Sequence, residues 1–423
     1  YFDFSKYLNN KNILYVTVML LLPVISVIGS YEFVYGNSNN LYLLLLLLIS
    51  IIAIIVSWSN KIESKFYPVI ILSISTSLLF FGSLSSKYVC VIGDTEIEYH
   101  FANLALLNSI WEPNIYANQN AMLSVTVLLP IYSILSSLDL NSTFKVIYPL
   151  IFSIVPIAVY ELLTKQFNKR VALISCFLFM FSFQFYNAYA LSVRWGIGLL
   201  FLILLLYLFI YSNKEELKYK ILILIYSASL VVSHYGTSYL FMFAIISVFL
   251  LDTLLKYLKI TWTSTFNLGY ILFYIAITMG YYIYTASSSP FNICITFFER
   301  TFNALTTEFL SPRTSQVIFA MEREWPISVR VSQLLILFIV FVNTIGILSM
   351  VYHLVKKKNT YISYTYLLIS IVLITYSLIS ITQSMFTPQR IYYMSLPILA
   401  PFSLIGFCVI FYLLYSKKLP KFD

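Results

Sequence analysis

Polar residues in this chain come in short clusters separated by long stretches that contain almost none. Apolar runs cover residues 13–30, 41–59, 66–84, 121–138, 143–163, 170–189, 195–212, 218–233, 236–256, 266–285, 331–355, 361–381 and 389–415. Most have the length, about 18 to 25 residues at 1.5 Å each, that crosses ~30 Å of hydrocarbon. The runs are continuous in Leu, Ile and Phe rather than alternating. Backbone groups in lipid must be satisfied within each segment, so the pattern predicts helices and not a membrane β-barrel. The expected fold class is all-α, a polytopic helical membrane protein with additional interfacial helices.

The polar clusters set the topology. Basic groups at Lys6/Lys11, Lys61/Lys65, Lys165/Lys169/Arg170, Lys214/Lys218/Lys220, Lys256/Lys259, Lys356 to Lys358 and Lys417/Lys418/Lys421 should be cytoplasmic. Thirteen spans cannot place them all on one side, because the parity breaks between residues 85 and 165. Removing one run repairs every later loop. The weakest is 121–138, with Pro130 near its middle, several Ser and Thr, and Asp139 just beyond it. It is read as lying in the outer interface. Twelve spans result, with both termini cytoplasmic and the long loops 85–142 and 286–330 outside, together with the turns 190–194, 234–235 and 382–390. The expected divisions are a two-helix extension (1–60), a seven-span core (61–285), the second outer loop with amphipathic helices (286–330) and a three-span module (331–423).

With 60% hydrophobic and 10% charged residues among 423, a water-soluble enzyme is excluded. The net charge of +9 reflects the orienting lysines, and no nucleic-acid partner is implied. The first run carries no cleavage pattern and is long enough to be a span. The chain starts at Tyr1 rather than Met, so the native N-terminus is expected upstream. Cys90, Cys176, Cys294 and Cys408 have no metal-binding spacing; Cys176 and Cys408 fall in spans, and Cys90 and Cys294 share the outer side, where a disulfide is one alternative.

Under this topology lysine and arginine separate. Of nineteen lysines only Lys87 and Lys145 fall outside, whereas six of seven arginines do: Arg194, Arg300, Arg313, Arg323, Arg330 and Arg390. Orientation works with either residue, so the arginines need a second reason. A planar guanidinium grips phosphate or carboxylate bidentately and is weakly hydrated, which suits a partly dry site at the membrane surface. The plainer reading pairs them with Glu299, Glu308, Glu322, Glu324 or lipid headgroups. Arg194 and Arg390 stand at span ends with no acid close in sequence.

The first outer loop holds Asp94, Glu96, Glu98 and His100 within seven residues. Asp94 suits the cap of a helix from Thr95 to about Ser109, along which Ile97, Phe101, Leu104 and Ala105 form an apolar stripe for the membrane surface. Asp94 and Glu98 share one face, Glu96 and His100 another. Acids at a helix start are favoured by the macrodipole alone, so capping is a sufficient plain reading.

An acidic residue on a juxtamembrane helix just after a span resembles the GT-C glycosyltransferases. The likeness is carried by GDTEIEYHFAN, the stretch 129–179, NAYALSVRWGIGLL and LVVSHYGTSY, and is to the branch that transfers sugars from dolichyl-phosphate-mannose and related aminoarabinose donors. More closely still, SHYGTSY, TPQRIYYMSLPILAPF and EYHFAN resemble a mainly archaeal family of multi-pass proteins of unknown function. The GT-C likeness covers roughly residues 66–285. It implies an inverting transfer from a polyprenyl-phosphate sugar on the outer face of the plasma membrane, with Asp94 as base and Glu98 as the other candidate. Arg194, His234, Tyr235 and Arg390 would hold the phosphate, and Arg313 would serve the acceptor or a lid. The acceptor would be a glycan, lipid or protein. Pro149, Pro156, Pro397 and Pro401 would open a groove for the prenyl tail. No resident cofactor is implied, although a divalent ion on Asp94, Glu96 and His100 is an alternative. The related enzymes often carry two adjacent acids where this chain has spaced ones, which leaves the identity of the base open. A polymerase or ligase acting on lipid-linked oligosaccharides, a transporter and a scaffold are the competing readings.

Ser142→Cys discriminates the topologies. With twelve spans it is labelled by a membrane-impermeant thiol reagent from outside; labelling only after the cytoplasmic face is opened favours thirteen.

Overall fold

The computed structural model describes residues 10–59, 62–89, 94–186, 193–211, 216–260, 266–307, 327–356, 362–382 and 388–416. Every regular element among them is helical. In chain order the helices are α1 (Asn10–Gly36), α2 (Asn40–Trp58), α3 (Tyr67–Leu84), α4 (Asp94–Asn108), α5 (Leu123–Thr126), α6 (Leu128–Ser136), α7 (Leu140–Phe152), α8 (Val155–Thr164), α9 (Lys169–Met180), α10 (Phe183–Tyr186), α11 (Val193–Tyr211), α12 (Leu217–Ser233), α13 (Tyr235–Tyr257), α14 (Leu268–Tyr284), α15 (Ser289–Thr307), α16 (Ile327–Val355), α17 (Tyr364–Thr382) and α18 (Pro388–Ser416).

Eight segments among the described residues are long and apolar enough to cross a bilayer: Thr17–Gly36, Asn40–Trp58, Ser64–Leu84, Leu140–Thr164, Arg194–Tyr211, Tyr235–Tyr257, Arg330–Val355 and Arg390–Tyr415. The chain is therefore a multi-pass, all-α membrane protein. The other four expected spans coincide with α9, α12, α14 and α17, of 12, 17, 17 and 19 residues. The run 121–138 folds as α5 and α6, of 4 and 9 residues. Taken together as Leu123–Ser136 they make 14 residues, ~21 Å at 1.5 Å each, short of the ~30 Å hydrocarbon core.

Lipid offers no hydrophobic drive between helices, so close packing and polar contacts must hold the bundle. Serines bind α1 to α3: Ser26 Oγ donates to Ser77 O at 2.7 Å, and Ser73 Oγ donates to Met19 O. Glycines bring α16 and α18 together. A Cβ on Gly346 would lie 2.1 Å from Phe402 O, and one on Gly406 2.1 Å from Val342 O. Beside them Ser403 Oγ donates to Asn343 Oδ1 at 2.7 Å, with both residues fully buried.

Of the four prolines expected to open a groove, Pro149 and Pro156 flank a break between α7 and α8, but α18 runs on through Pro397 and Pro401. A carbonyl between the two prolines takes a contact from a neighbouring helix: Tyr366 OH donates to Ile398 O at 2.5 Å. The cavity described next lies elsewhere, because it is shaped by a bend between helices rather than by these kinks.

Points far apart in sequence gather at two ends. At one end Arg170 Nη2 donates to Ser59 O at 2.9 Å, and Ser363 N donates to Gln166 Oε1 at 2.8 Å. At the other, Ala286 N donates to Pro113 O at 2.7 Å and Ser289 Oγ to Asn118 Oδ1 at 2.7 Å. Residues 113–118 thus pack on the corner at 286–289.

Gly346→Val should force α16 and α18 apart and cost about 1–3 kcal/mol or more, whereas Ser403→Ala, which removes only a hydrogen bond between helices, should cost ~0.6 kcal/mol. Thermal unfolding of the two variants in detergent checks this; equal losses would refute the close approach.

Candidate functional site

The acidic helix is placed by its charge more than by its apolar stripe. α4 begins at Asp94 and turns its Thr95, Glu98, Phe101 and Ala102 face into the protein, while Ile97 stays exposed. Asp94 and Glu98 are one turn apart on this face, and both meet Arg194, in the first turn of α11. Arg194 Nη2 bonds Asp94 Oδ2, and Arg194 Nε lies 3.0 Å from Glu98 Oε1. Gln119 Nε2 donates to the other Asp94 oxygen at 3.1 Å. The exposures separate the two acids: the Asp94 side chain is 36% exposed, Glu98 0% and Arg194 1%. Removal of the Glu98 and Arg194 charges from water is tolerable only because each faces the other. Arg194 Nη1 is buried and has no hydrogen-bond acceptor among the described residues. The guanidinium also sits 5.7 Å above the Tyr235 ring.

His234 occupies the corner between α12 and α13 and caps the latter. Its Nδ1 accepts from Thr237 N at 3.1 Å and lies 2.6 Å from Thr237 Oγ1. An acceptor at Nδ1 places the proton of the neutral ring on Nε2, which is then a donor. Burial first, and then the Arg194 and Arg390 cations, hold His234 well below the usual imidazole range, so it is neutral at neutral pH. The corner is tight: a Cβ on Gly198 would come within 2.8 Å of His234 Cβ, which explains the glycine in VRWGIG. Trp195 stands 5.7 Å from His234, and the Arg390 guanidinium lies 5.5 Å over the Trp195 ring.

Arg194, His234, Tyr235 and Arg390 form the polar mouth of a cavity of ≈ 440 Å³. Below the mouth the lining turns apolar, with Leu240, Phe243 and Ile246 on α13, Phe297 and Phe298 on α15, and Met394 on α18. α15 is in position because the chain bends by 92° after α14. Ala286, Ser287 and Ser288 make the bend with φ of 51, 48 and 62°, the left-handed region that non-glycine residues rarely enter. The contacts to Pro113 and Asn118, and Ser287 Oγ on Asn114 O at 2.5 Å, hold it there.

Six sequence-derived residues, Asp94, Glu98, Arg194, His234, Tyr235 and Arg390, are brought together. Glu96, His100, Arg300 and Arg330 are exposed, the first two on the opposite face of α4. No three His, Cys, Asp or Glu side chains among the described residues are grouped to hold a metal ion, so Asp94, Glu96 and His100 do not form a ligand set. Arg313, Arg323, Glu308, Glu322, Glu324 and Cys90 lie outside the described residues. Cys294 is a free, buried thiol in the cavity wall, which removes the disulfide alternative. Sequence reasoning missed Gln119, Thr237 and Trp195. Thr237 had a signal, three residues after a capping His, and Trp195 adjoins the arginine; Gln119 had none.

Residues 219–422, a little under half of the chain, match the model of a family described as a predicted membrane protein (DUF2206). The match contains His234, Tyr235, Arg390 and the cavity walls, and begins after Asp94, Glu98 and Arg194. The search of curated proteins found no match.

Arg194→Leu should destabilise the protein by about 3–5 kcal/mol, because Glu98 is left as an uncompensated buried charge. Adding Glu98→Leu should recover most of that loss. Thermal unfolding of single and double variants tests the pair; a double no more stable than Arg194→Leu would refute the coupling.

Proposed function

We propose that this protein is a membrane glycosyltransferase that moves a sugar from a polyprenyl-phosphate donor to an acceptor on the outer face of the membrane, with inversion. The observation that carries the reading is the form of the cavity: a cationic mouth above an apolar body, with a partly exposed carboxylate beside the mouth. Such a site suits an amphiphile with an anionic head and a hydrocarbon tail. Arg194, through its unused Nη1, and Arg390 would hold the donor phosphate, and neutral His234 would donate from Nε2 without adding a third charge.

Asp94 is the base in this scheme. It takes the proton of the acceptor hydroxyl as that oxygen bonds to the anomeric carbon, and the carbon–oxygen bond to the phosphate breaks with its electron pair leaving on the phosphate. A phosphate leaves readily, so no strong acid is required. The arginines stabilise the charge that develops there. Glu98 cannot serve, because it is sealed behind Arg194; its role is to fix the guanidinium. A ligase or polymerase acting on lipid-linked oligosaccharides would use the same groups. The ionisable cluster sits at helix ends, whereas transport favours such groups near mid-bilayer. The gathering of residues 59, 166–170 and 363 at the opposite end fits the basic, cytoplasmic side, and both termini are assigned there.

Membranes incubated with radiolabelled polyprenyl-phosphate sugars test the reading. Asp94→Asn should lower transfer by about 10²–10⁴-fold with donor binding retained. Undiminished transfer would remove Asp94 as base, and absence of transfer from every donor would favour a non-enzymatic role.

A further inference from the structure

Far along α13 from the mouth, the cavity lining includes a polar pair in an apolar setting. The lining residues on α13 run from Tyr235 at the mouth to Ser247. Twelve residues at 1.5 Å per residue give a depth of ~18 Å, close to half of the ~30 Å hydrocarbon core. At that depth Ser247 Oγ lies 2.7 Å from Tyr376 OH on α17, a hydrogen bond in which either oxygen can donate. Above it the walls are Phe243, Ile246, Ile379 and Met394, none of which offers a side-chain partner. The pair joins α13 to α17, and each half-buried hydroxyl has the other as its partner.

We propose that the Ser247–Tyr376 hydrogen bond is the floor of a tail-binding channel and sets how much of a lipid donor's chain the protein reads. The inference rests on the lipid-phosphate reading above and adds a length specificity to it. A hydrocarbon tail that descended past the floor would separate the hydroxyls and leave each without a partner in an apolar interior. The tail stops there instead. What lies beyond must leave sideways, where Ile293, Phe298 and Ile379 are exposed on the cavity rim, and pass among membrane lipids. Tail already in hydrocarbon gains only packing contacts on entering the channel, so each added unit helps while it touches wall and not afterwards.

The test uses the full chain in lipid nanodiscs, with isoprenyl monophosphates of increasing length dosed as mole fraction of the bilayer and affinity read by thermal stabilisation. In the wild type, affinity should rise by about tenfold from the shortest chain to the one that reaches the floor, then stay level. Tyr376→Ala, which removes the floor, should move the break to longer chains. Ser247→Ala, which keeps the packing and loses the hydrogen bond, should move it in the same direction by less and covers the case in which Tyr376→Ala does not fold. Affinity that climbs without a break in the wild type, or a break left in place by a folded floor variant, overturns the inference and leaves the lipid-phosphate reading intact. Binding of no isoprenyl phosphate overturns both.

Discussion

The arrangement around the acidic helix and the cavity depends on one buried guanidinium. Arg194 lies at the head of a membrane span with carboxylates on two sides, and both partners come from a helix that does not itself cross the bilayer. An isolated charge in this position would cost several kcal/mol, so the geometry of the pair is strongly enforced: α4 cannot drift from α11 without uncovering it. Through Gln119 the same contact reaches the stretch between α4 and α5, and through that stretch it reaches the bend before α15. One ion-pair cluster thereby fixes the acidic helix, the loop behind it and one wall of the cavity.

The two acids illustrate how burial divides residues that look equivalent in sequence. Asp94 and Glu98 share a helix face and a partner, yet one keeps a third of its surface and the other none. A group that must meet a diffusing hydroxyl needs the first condition, and a group that must hold an arginine rigid benefits from the second. The cations at the mouth are divided in the same way. Arg194 is buried against its carboxylates, while Arg390 is exposed and rests on the face of Trp195.

Much of this was legible in the sequence because membrane chains write their topology in coarse symbols. Apolar length marked the helices, and lysine parity together with Pro130, the Ser and Thr content and Asp139 singled out 121–138, which folds as short helices. The separation of arginine from lysine picked out Arg194 and Arg390, and the i, i+4 spacing of Asp94 and Glu98 placed them on one face. The remainder was hidden for a physical reason: in an almost uniformly apolar chain, pattern does not tell which helix faces which. Nothing marks Ser247 or Tyr376 among so many serines and tyrosines, and their meaning comes only from the contact between α13 and α17. The buried face of α4 was misread for a related reason, since an apolar stripe was expected to decide the orientation and an ion pair does so instead.

The bend at Ala286–Ser288 has a consequence for biogenesis. Straightened, α14 and α15 together satisfy the length and apolarity of a single long span, and only the left-handed turn divides them. The groups that hold that turn belong to residues 113–118, which are synthesised well over a hundred residues earlier. The contacts that hold the turn thus come from a stretch already synthesised when the ambiguous segment emerges, so the division of α14 from α15 rests on residues distant in sequence.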